Sequence, residues 1–427
     1  MRFAPMIYGP TVLFTLGEGA VIPLFPVIAA RLGADLAVAA LVAAALVVGQ
    51  LFGNVPAGWA VARIGERLTM TFAGLAGILG VVAMVFATSV GMLMASVFII
   101  GFCASAFGLA RHSFMTTRVP LAFRARALAL LGGSWRLGMF VGPFVAAAIL
   151  LATGNEQIVM WFFGGCLLAC VALVFFGPDP EEQLQAEASA ARRAMDATTP
   201  TEFELEAEDL MLEDTGEVST GSIPTFERQG VFATMWANRR VLSRVGVAAA
   251  TLSSVRAART AMLPLWGLAI GLDAEHIALI VGISGAIDFA LFYASGQIMD
   301  RFGRTWVAGS CVGALGLGVL LLPLTHTVAW VCIVAGFMGV GNGLASGIVV
   351  TLGADNAPHV GRQQFLGGWR LTSDIGYMVG PAGVSGLVAT LPLASALAAA
   401  GGVVLMAAGW TVHWTRWSER RRLSSGG

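Results

Sequence analysis

The sequence predicts an all-α membrane protein of twelve transmembrane helices, arranged as two pseudo-symmetric six-helix bundles. Three observations carry that prediction. The 427 residues are 57% hydrophobic and only 12% charged, with a mean hydropathy of +0.80. A soluble chain carries about 25% charged residues, so the bilayer is the solvent for most of this one. Apolar runs long enough to cross a membrane recur along the chain, and one short polar turn between two such runs occurs twice. Its copies are Gly58-Trp-Ala-Val-Ala62-Arg63-Ile-Gly65-Glu66-Arg67 and Gly296-Gln-Ile-Met-Asp300-Arg301-Phe-Gly303-Arg304, 238 residues apart. A turn duplicated half a chain away marks a membrane protein built from two similar halves.

A spanning helix needs about 20 apolar residues. The first half offers runs at 6–30, 36–61, 68–88, 90–117, 124–152 and 157–177. The second offers 243–270, 276–299, 304–324, 327–353, 362–388 and 392–415. The runs are too long for strands and lack the alternation of a barrel. The N-terminus leads straight into the first run, which reads as an uncleaved span. The 54 glycines suit close helix packing.

Residues 178–240 differ from the rest. They hold fourteen of the 25 acidic residues and cannot span a membrane. They read as an acidic cytoplasmic linker, helical in part around Glu181–Met195, flexible from Thr215 to Thr225, and leading through a surface helix near Phe232–Arg240 into span seven. The domains are therefore a bundle over 1–177, a linker over 178–240, and a second bundle with a tail over 241–427.

All 25 basic residues are arginine. With the termini placed inside, the inner loops and tails collect nineteen of them and the outer loops only Arg31, so both termini and the linker face the cytoplasm of a cell membrane. The five cysteines sit in apolar runs without metal-ligand spacing, and no cofactor or metal is expected. Glycine runs such as Gly339-Val-Gly-Asn-Gly343 lie inside an apolar span and do not cradle phosphate. No nucleophile–base arrangement suggests an enzyme, and nothing suggests nucleic acid as a partner.

The repeat extends beyond the turn. Span five carries Gly132-Gly-Ser-Trp-Arg136-Leu-Gly138-Met-Phe-Val-Gly142-Pro143, and span eleven carries Arg370-Leu-Thr-Ser-Asp374-Ile-Gly376-Tyr-Met-Val-Gly380-Pro381. Both hold Gly-x-x-x-Gly-Pro, whose glycines permit close contact and whose proline permits a bend. With the duplicated turn, the twelve spans and the long middle loop, this resembles the major facilitator superfamily over the whole chain except the linker. The span-five motif is similar to that of its drug/proton antiporters. The resemblance implies two halves that rock about a central cavity, gating turns at Gly58–Arg67 and Gly296–Arg304, and a chain that acts as a monomer. The sequence departs from the pattern at Ala62, where the family has aspartate, at Val97, where its antiporters often carry arginine, and at Phe144-Val-Ala after Gly-Pro.

Ionisable residues at mid-membrane cost of order 3 kcal/mol on insertion scales and face a partner or a watery cavity. By position within their spans, Glu18, Arg136, Arg256, Arg259, Asp288 and Asp374 lie near the midplane, with Arg370 one turn from Asp374 and Arg111–His112 nearer the cytoplasm. Aligning the repeats sets Glu18 opposite Arg259, Arg136 opposite Asp374, and Gln50 opposite Asp288. The expected pairs across the cavity are Glu18 with Arg259 and Arg136 with Asp374. Against this, Arg370 and Asp374 can neutralise each other on one helix. Glu18 and Asp288 are the candidates for proton carriage, because low dielectric favours the neutral carboxyl. Gln50, Arg111, Arg136, Arg256, Arg259, Arg370 and Asp374 are the candidates for the substrate cavity. Phe25, Phe140, Trp161, Trp266, Phe289, Phe292, Tyr293, Trp369 and Tyr377 could line its apolar part.

The first reading is a secondary active exporter of small amphipathic molecules, driven by protons. The second is an organic-anion carrier, since five intramembrane arginines face three acids. A third, from a different class, is a non-transporting sensor or scaffold that works through the acidic segment.

Overall fold

The computed structural model describes residues 4–118, 121–176, 231–358 and 362–425, and every regular element among them is helical. Span one runs Ala4–Val21, then through a tighter turn at Ile22–Leu24 into Phe25–Arg31. Pro23 and Pro26 lack amide donors, which accounts for the interruption. Spans two and three form the continuous run Leu36–Val85, capped by the Asp35 carboxylate accepting from the Val38 amide at 2.8 Å. At 50 residues it is about 75 Å long, twice what a bilayer needs, and it breaks at Gly65. Spans four to six are Val90–Arg118, Leu121–Thr153 and Glu156–Phe176.

The second half repeats the plan. Spans seven to nine are Val247–Ala269, Ala274–Phe302 and Arg304–Leu321. Span ten is Val328–Leu344 followed by Ile348–Asp355, and spans eleven and twelve are Arg362–Thr390 and Leu393–Ser425. Among the described residues each half thus holds six helical segments, consistent with the expected spans. Nine helices are long and apolar enough to cross a membrane, Leu36–Val85 counting twice as a traverse. The two that fall short are spans seven and eleven, diluted by Arg256 and Arg259 and by Arg370 and Asp374.

Two expectations need correction. The run 327–353 is not one helix, because the backbone unwinds at 345–347. Span twelve does not end at 415 but continues to Ser425. The surface helix expected near Phe232–Arg240 is present as Val231–Ala237 and Arg239–Val241, joined to span seven through Leu242–Gly246. The acidic stretch 178–230, with its expected helix and flexible segment, lies outside the described residues.

The repeat is visible in the backbone. Gly65 (φ 81°, ψ 171°) and Gly303 (φ 84°, ψ 161°) occupy the same position of the duplicated turn, a conformation that L side chains resist. Span five packs on span one, and span eleven on span seven, through the same two glycines. Gly138 and Gly142 lie against the backbone of Thr15 to Ala20, and Gly376 and Gly380 against Ala250 to Ala258. A methyl on Gly142 would stand 2.6 Å from the Ala20 amide nitrogen, and one on Gly380 3.1 Å from that of Ala258. Pro143 and Pro381 lie inside their helices.

The halves meet where span five packs on span eight and span eleven on span two. Away from the termini the seam is shut. Ser385 Oγ donates to the Ala37 carbonyl at 3.0 Å, and Phe140 of one half stacks on Phe289 of the other at 5.5 Å.

Gly142→Val and Gly380→Val should each lower stability by about 1–3 kcal/mol or more, because backbone cannot yield to the added atoms. Gly386, with nothing within 4 Å of its missing side chain, should accept alanine within about 0.5 kcal/mol. Thermal unfolding of the three variants in one detergent gives the comparison.

Candidate functional site

Between the halves lies a cavity of about 860 Å³, walled by spans one, two, four, five, seven, eight, ten and eleven. Its residues lie from the helix midpoints toward the face that carries both termini, so the cavity sits on the open side of the seam. Glu18, Gln50, Arg111, Arg136, Arg256, Arg370 and Asp374 are all on this wall. Arg259 and Asp288 stand behind it.

Asp288 of span eight is the hub of the charged groups. Arg136 of span five, in the other half, donates to it through Nη1 at 2.9 Å. Arg259 of span seven approaches with Nη2 at 3.6 Å, and Asn342 of span ten donates through its side-chain amide. Arg259 also donates to Ser284 Oγ at 3.0 Å, and that hydroxyl in turn donates to the Ala335 carbonyl at 2.7 Å. The Arg136 guanidinium lies 4.7 Å over the Phe292 ring. One carboxylate therefore serves two arginines and an amide.

The expected pairs, Glu18 with Arg259 and Arg136 with Asp374, are not made. Helix packing is the reason. Span five lies against span eight, so Arg136 reaches Asp288, whereas Asp374 sits on span eleven and faces Arg370 of its own helix at 4.0 Å. Glu18 is 5% exposed, and its Oε1 has no hydrogen-bond partner among the described residues. The two acids thus differ: Asp288 is saturated with donors, and Glu18 is not.

The remaining wall arginines have no carboxylate within ion-pair distance among the described residues. Arg256 donates through Nη2 to the carbonyls of Asn342 (3.1 Å) and Ala345 (2.7 Å), at the end of the first segment of span ten, and its Nε is unpartnered. Arg111 is 5% exposed, its guanidinium 6.0 Å from the Phe107 ring, with Nη2 unpartnered.

Of the expected aromatic residues, Phe292 and Tyr377 line the cavity. Trp266 is buried with Nε1 donating to Thr325, Trp369 donates to the Val349 carbonyl at 2.9 Å, and Tyr293 and Trp161 lie on the outer surface. Sequence reasoning missed Phe14, Phe107 and Trp135 on the wall. Trp135 adjoins Arg136, which was the available signal.

The two turns lie at the termini face. Arg67 donates to the Val174 and Phe175 carbonyls at 3.1 and 2.6 Å, holding the turn to the end of span six, and Glu66 accepts from Ser113 of span four. Arg304 meets Asp355 at 3.1 Å, and Glu419 accepts from the Thr305 amide and hydroxyl beside Gly303. Arg63 lies over Trp59, and Arg301 over Phe302. Gly296 leaves the helix surface open, Gly58 faces Leu109 of span four, and Asp300 is exposed. Each of these bonds stays within one half, as an opening on that face requires.

A family model described as Major Facilitator Superfamily matches residues 10–381 and again 256–427. No curated protein matches the chain. Among solved structures, a POT family transporter in complex with 5-aminolevulinic acid superposes with a TM-score of 0.74 at 13% identity, covering 98% of this chain and 96% of that one. A POT family transporter in complex with a thioalcohol-conjugated peptide gives 0.73 at 14% identity, with the same coverage. Peptide transporter POT in complex with sulfate gives 0.71 at 13%, covering 97% and 94%. At such identities the likeness concerns the fold.

Asp288→Asn should cost about 3–5 kcal/mol of stability, because it strands the buried Arg259 and the half-buried Arg136 without a counter-charge. Asp374→Asn breaks a pair whose side chains are 61% and 36% exposed and should change stability by no more than about 1 kcal/mol. Denaturant unfolding in micelles reads both. Equal losses would show that Asp288 is no hub.

Proposed function

The chain belongs to the Major Facilitator Superfamily and is a secondary transporter rather than an enzyme, and we propose that it exports small amphipathic molecules by alternating access, driven by protons bound at Glu18. Glu18 carries the reading. It is a buried carboxyl on the cavity wall, without a cation within ion-pair distance among the described residues and with one oxygen unpartnered. Its charged form needs water or a cation, whereas its neutral form tolerates apolar surroundings. A change in water access as the halves rock is thus a change in proton binding. Tyr377 lines the same cavity as Glu18 and Arg256.

Asp288 has a different part. Its bond to Arg136 joins the two halves at mid-membrane, so it works as a latch that parts and reforms during the cycle. The aromatic surface from Phe14, Phe107, Trp135 and Phe292 receives the apolar body of the solute. The arginine count supports a cytoplasmic termini face, and the cavity is then open to the inside, the state in which an exporter loads its solute. One chain encloses the whole cavity, so a monomer suffices.

In proteoliposomes with an imposed pH gradient, Glu18→Gln should reduce gradient-driven flux to that of protein-free vesicles while gradient-independent exchange of the same solute persists. Gradient-driven flux in the variant equal to the wild type's would remove Glu18 from the coupling.

A further inference from the structure

The wall arginines fall into two kinds. Arg136 and Arg370 have carboxylates, Asp288 and Asp374. Arg111 and Arg256 have none among the described residues. Each keeps a guanidinium nitrogen without a partner, and Arg111 does so while 5% exposed. A cation held in low dielectric without an opposite charge is among the most expensive arrangements a membrane protein can keep. The wall acid that could offset it, Glu18, is neutral whenever it carries its proton. The cavity is then electropositive on two opposite sides, Arg111 in one half and Arg256 in the other.

The second side has a further feature. Span ten unwinds at 345–347, with Gly347 at φ 83°, and its second segment, Ile348–Asp355, begins without a capping side chain. Gly347 and Val349 to Thr351 lie on the cavity wall. The Ile348 amide donates to the Ala345 carbonyl at 3.2 Å and the Thr351 amide to that of Gly347 at 3.0 Å, so it is the first-turn amides between them that, with the helix dipole, favour a negative group. Arg256, bound to the Asn342 and Ala345 carbonyls, occupies the same break.

Resting on the transport reading above, we propose that the solute is an amphipathic organic anion, its carboxylate or comparable acidic group bound at Arg256 beside the start of Ile348–Asp355, and its apolar body on the aromatic surface near Arg111. Arg256 and Arg111 therefore set the charge preference of the cavity. Glu18 has a separate task, and the two can fail independently.

The test uses the purified full chain in detergent and two probes with the same apolar body and opposite charge, 1-naphthoate and 1-naphthylmethylammonium, titrated calorimetrically. Naphthoate should bind about tenfold tighter or more, and Arg256→Gln and Arg111→Gln should each weaken it about tenfold. Arg256→Lys and Arg111→Lys keep the charge and lose the planar fork. They should bind with intermediate affinity, and they replace any glutamine variant that does not elute as a single species. Tighter or equal binding of the ammonium, no binding of naphthoate, or naphthoate affinity unchanged in the arginine variants overturns the proposal. Proton-driven flux of the ammonium by the wild type, with naphthoate unbound, would sink the anion preference and leave the coupling standing. Naphthoate binding without proton-driven flux of any solute would do the reverse.

Discussion

A carboxylate inside a bilayer must find cations or water, and Asp288 finds two arginines and an amide at the seam between the halves. Much of the architecture follows from that demand. Arg136 comes from span five, Arg259 from span seven and Asn342 from span ten, so one charge fixes the relative placement of four helices and both bundles. The bond to Arg136 is the part that must yield if the halves are to rock. Removal of one partner would leave a buried charge exposed to hydrocarbon, whereas exchange of partners, or of partner for solute, keeps the balance.

Close packing allows the rocking. Gly138 and Gly142 bring span five onto the backbone of span one, as Gly376 and Gly380 bring span eleven onto span seven. Gly101 lies in the same way against Leu46, and its repeat equivalent Gly339 against Ser284. Helices joined by backbone contact move as rigid pairs, because no long side chain stands between them to adjust. On the proposed alternating access each half moves as one body and the change concentrates at the seam, where Phe140 meets Phe289 and Arg136 meets Asp288.

The sequence revealed these features unevenly. Spans, repeat and glycine motifs were legible because each rests on a local rule: the length of apolar runs, the need of a sharp turn for glycine at 65 and 303, the small-residue spacing of close helices. Part of the cavity wall was legible too, since Arg111, Arg136, Arg256, Arg370, Glu18 and Asp374 line it, but Arg259 and Asp288 stand behind it, paired between helices. The partners of these groups were not legible. Pseudo-symmetry relates positions, and contact depends on which helices pack. Glu18 and Arg259 are related by the repeat yet lie on spans one and seven, and Arg259 turns instead to span eight. The break in span ten was hidden for another reason: Gly-Leu-Ala-Ser-Gly at 343–347 reads as one more apolar, small-residue stretch.

That break shows how the two halves, alike in plan, divide their labour. Span four, the repeat equivalent of span ten, is unbroken from Val90 to Arg118. By the register that aligns Pro23 with Pro264, the position of Arg256 corresponds to Thr15 of span one. The Thr15 hydroxyl donates to Thr11 of its own helix at 2.7 Å, whereas Arg256 reaches across to the carbonyls that the break sets free. Open backbone at membrane depth is tolerated only where it faces a cavity and finds donors. The arginine and the break fit each other: Arg256 is a second donor to the Ala345 carbonyl, which also accepts from the Ile348 amide at 3.2 Å, and an unbroken span ten would leave Arg256 without those acceptors. The second half thus exposes polar backbone and cation to the cavity. The first contributes Glu18, a lone acid in the helix Ala4–Val21, and the two sets of groups line the same cavity.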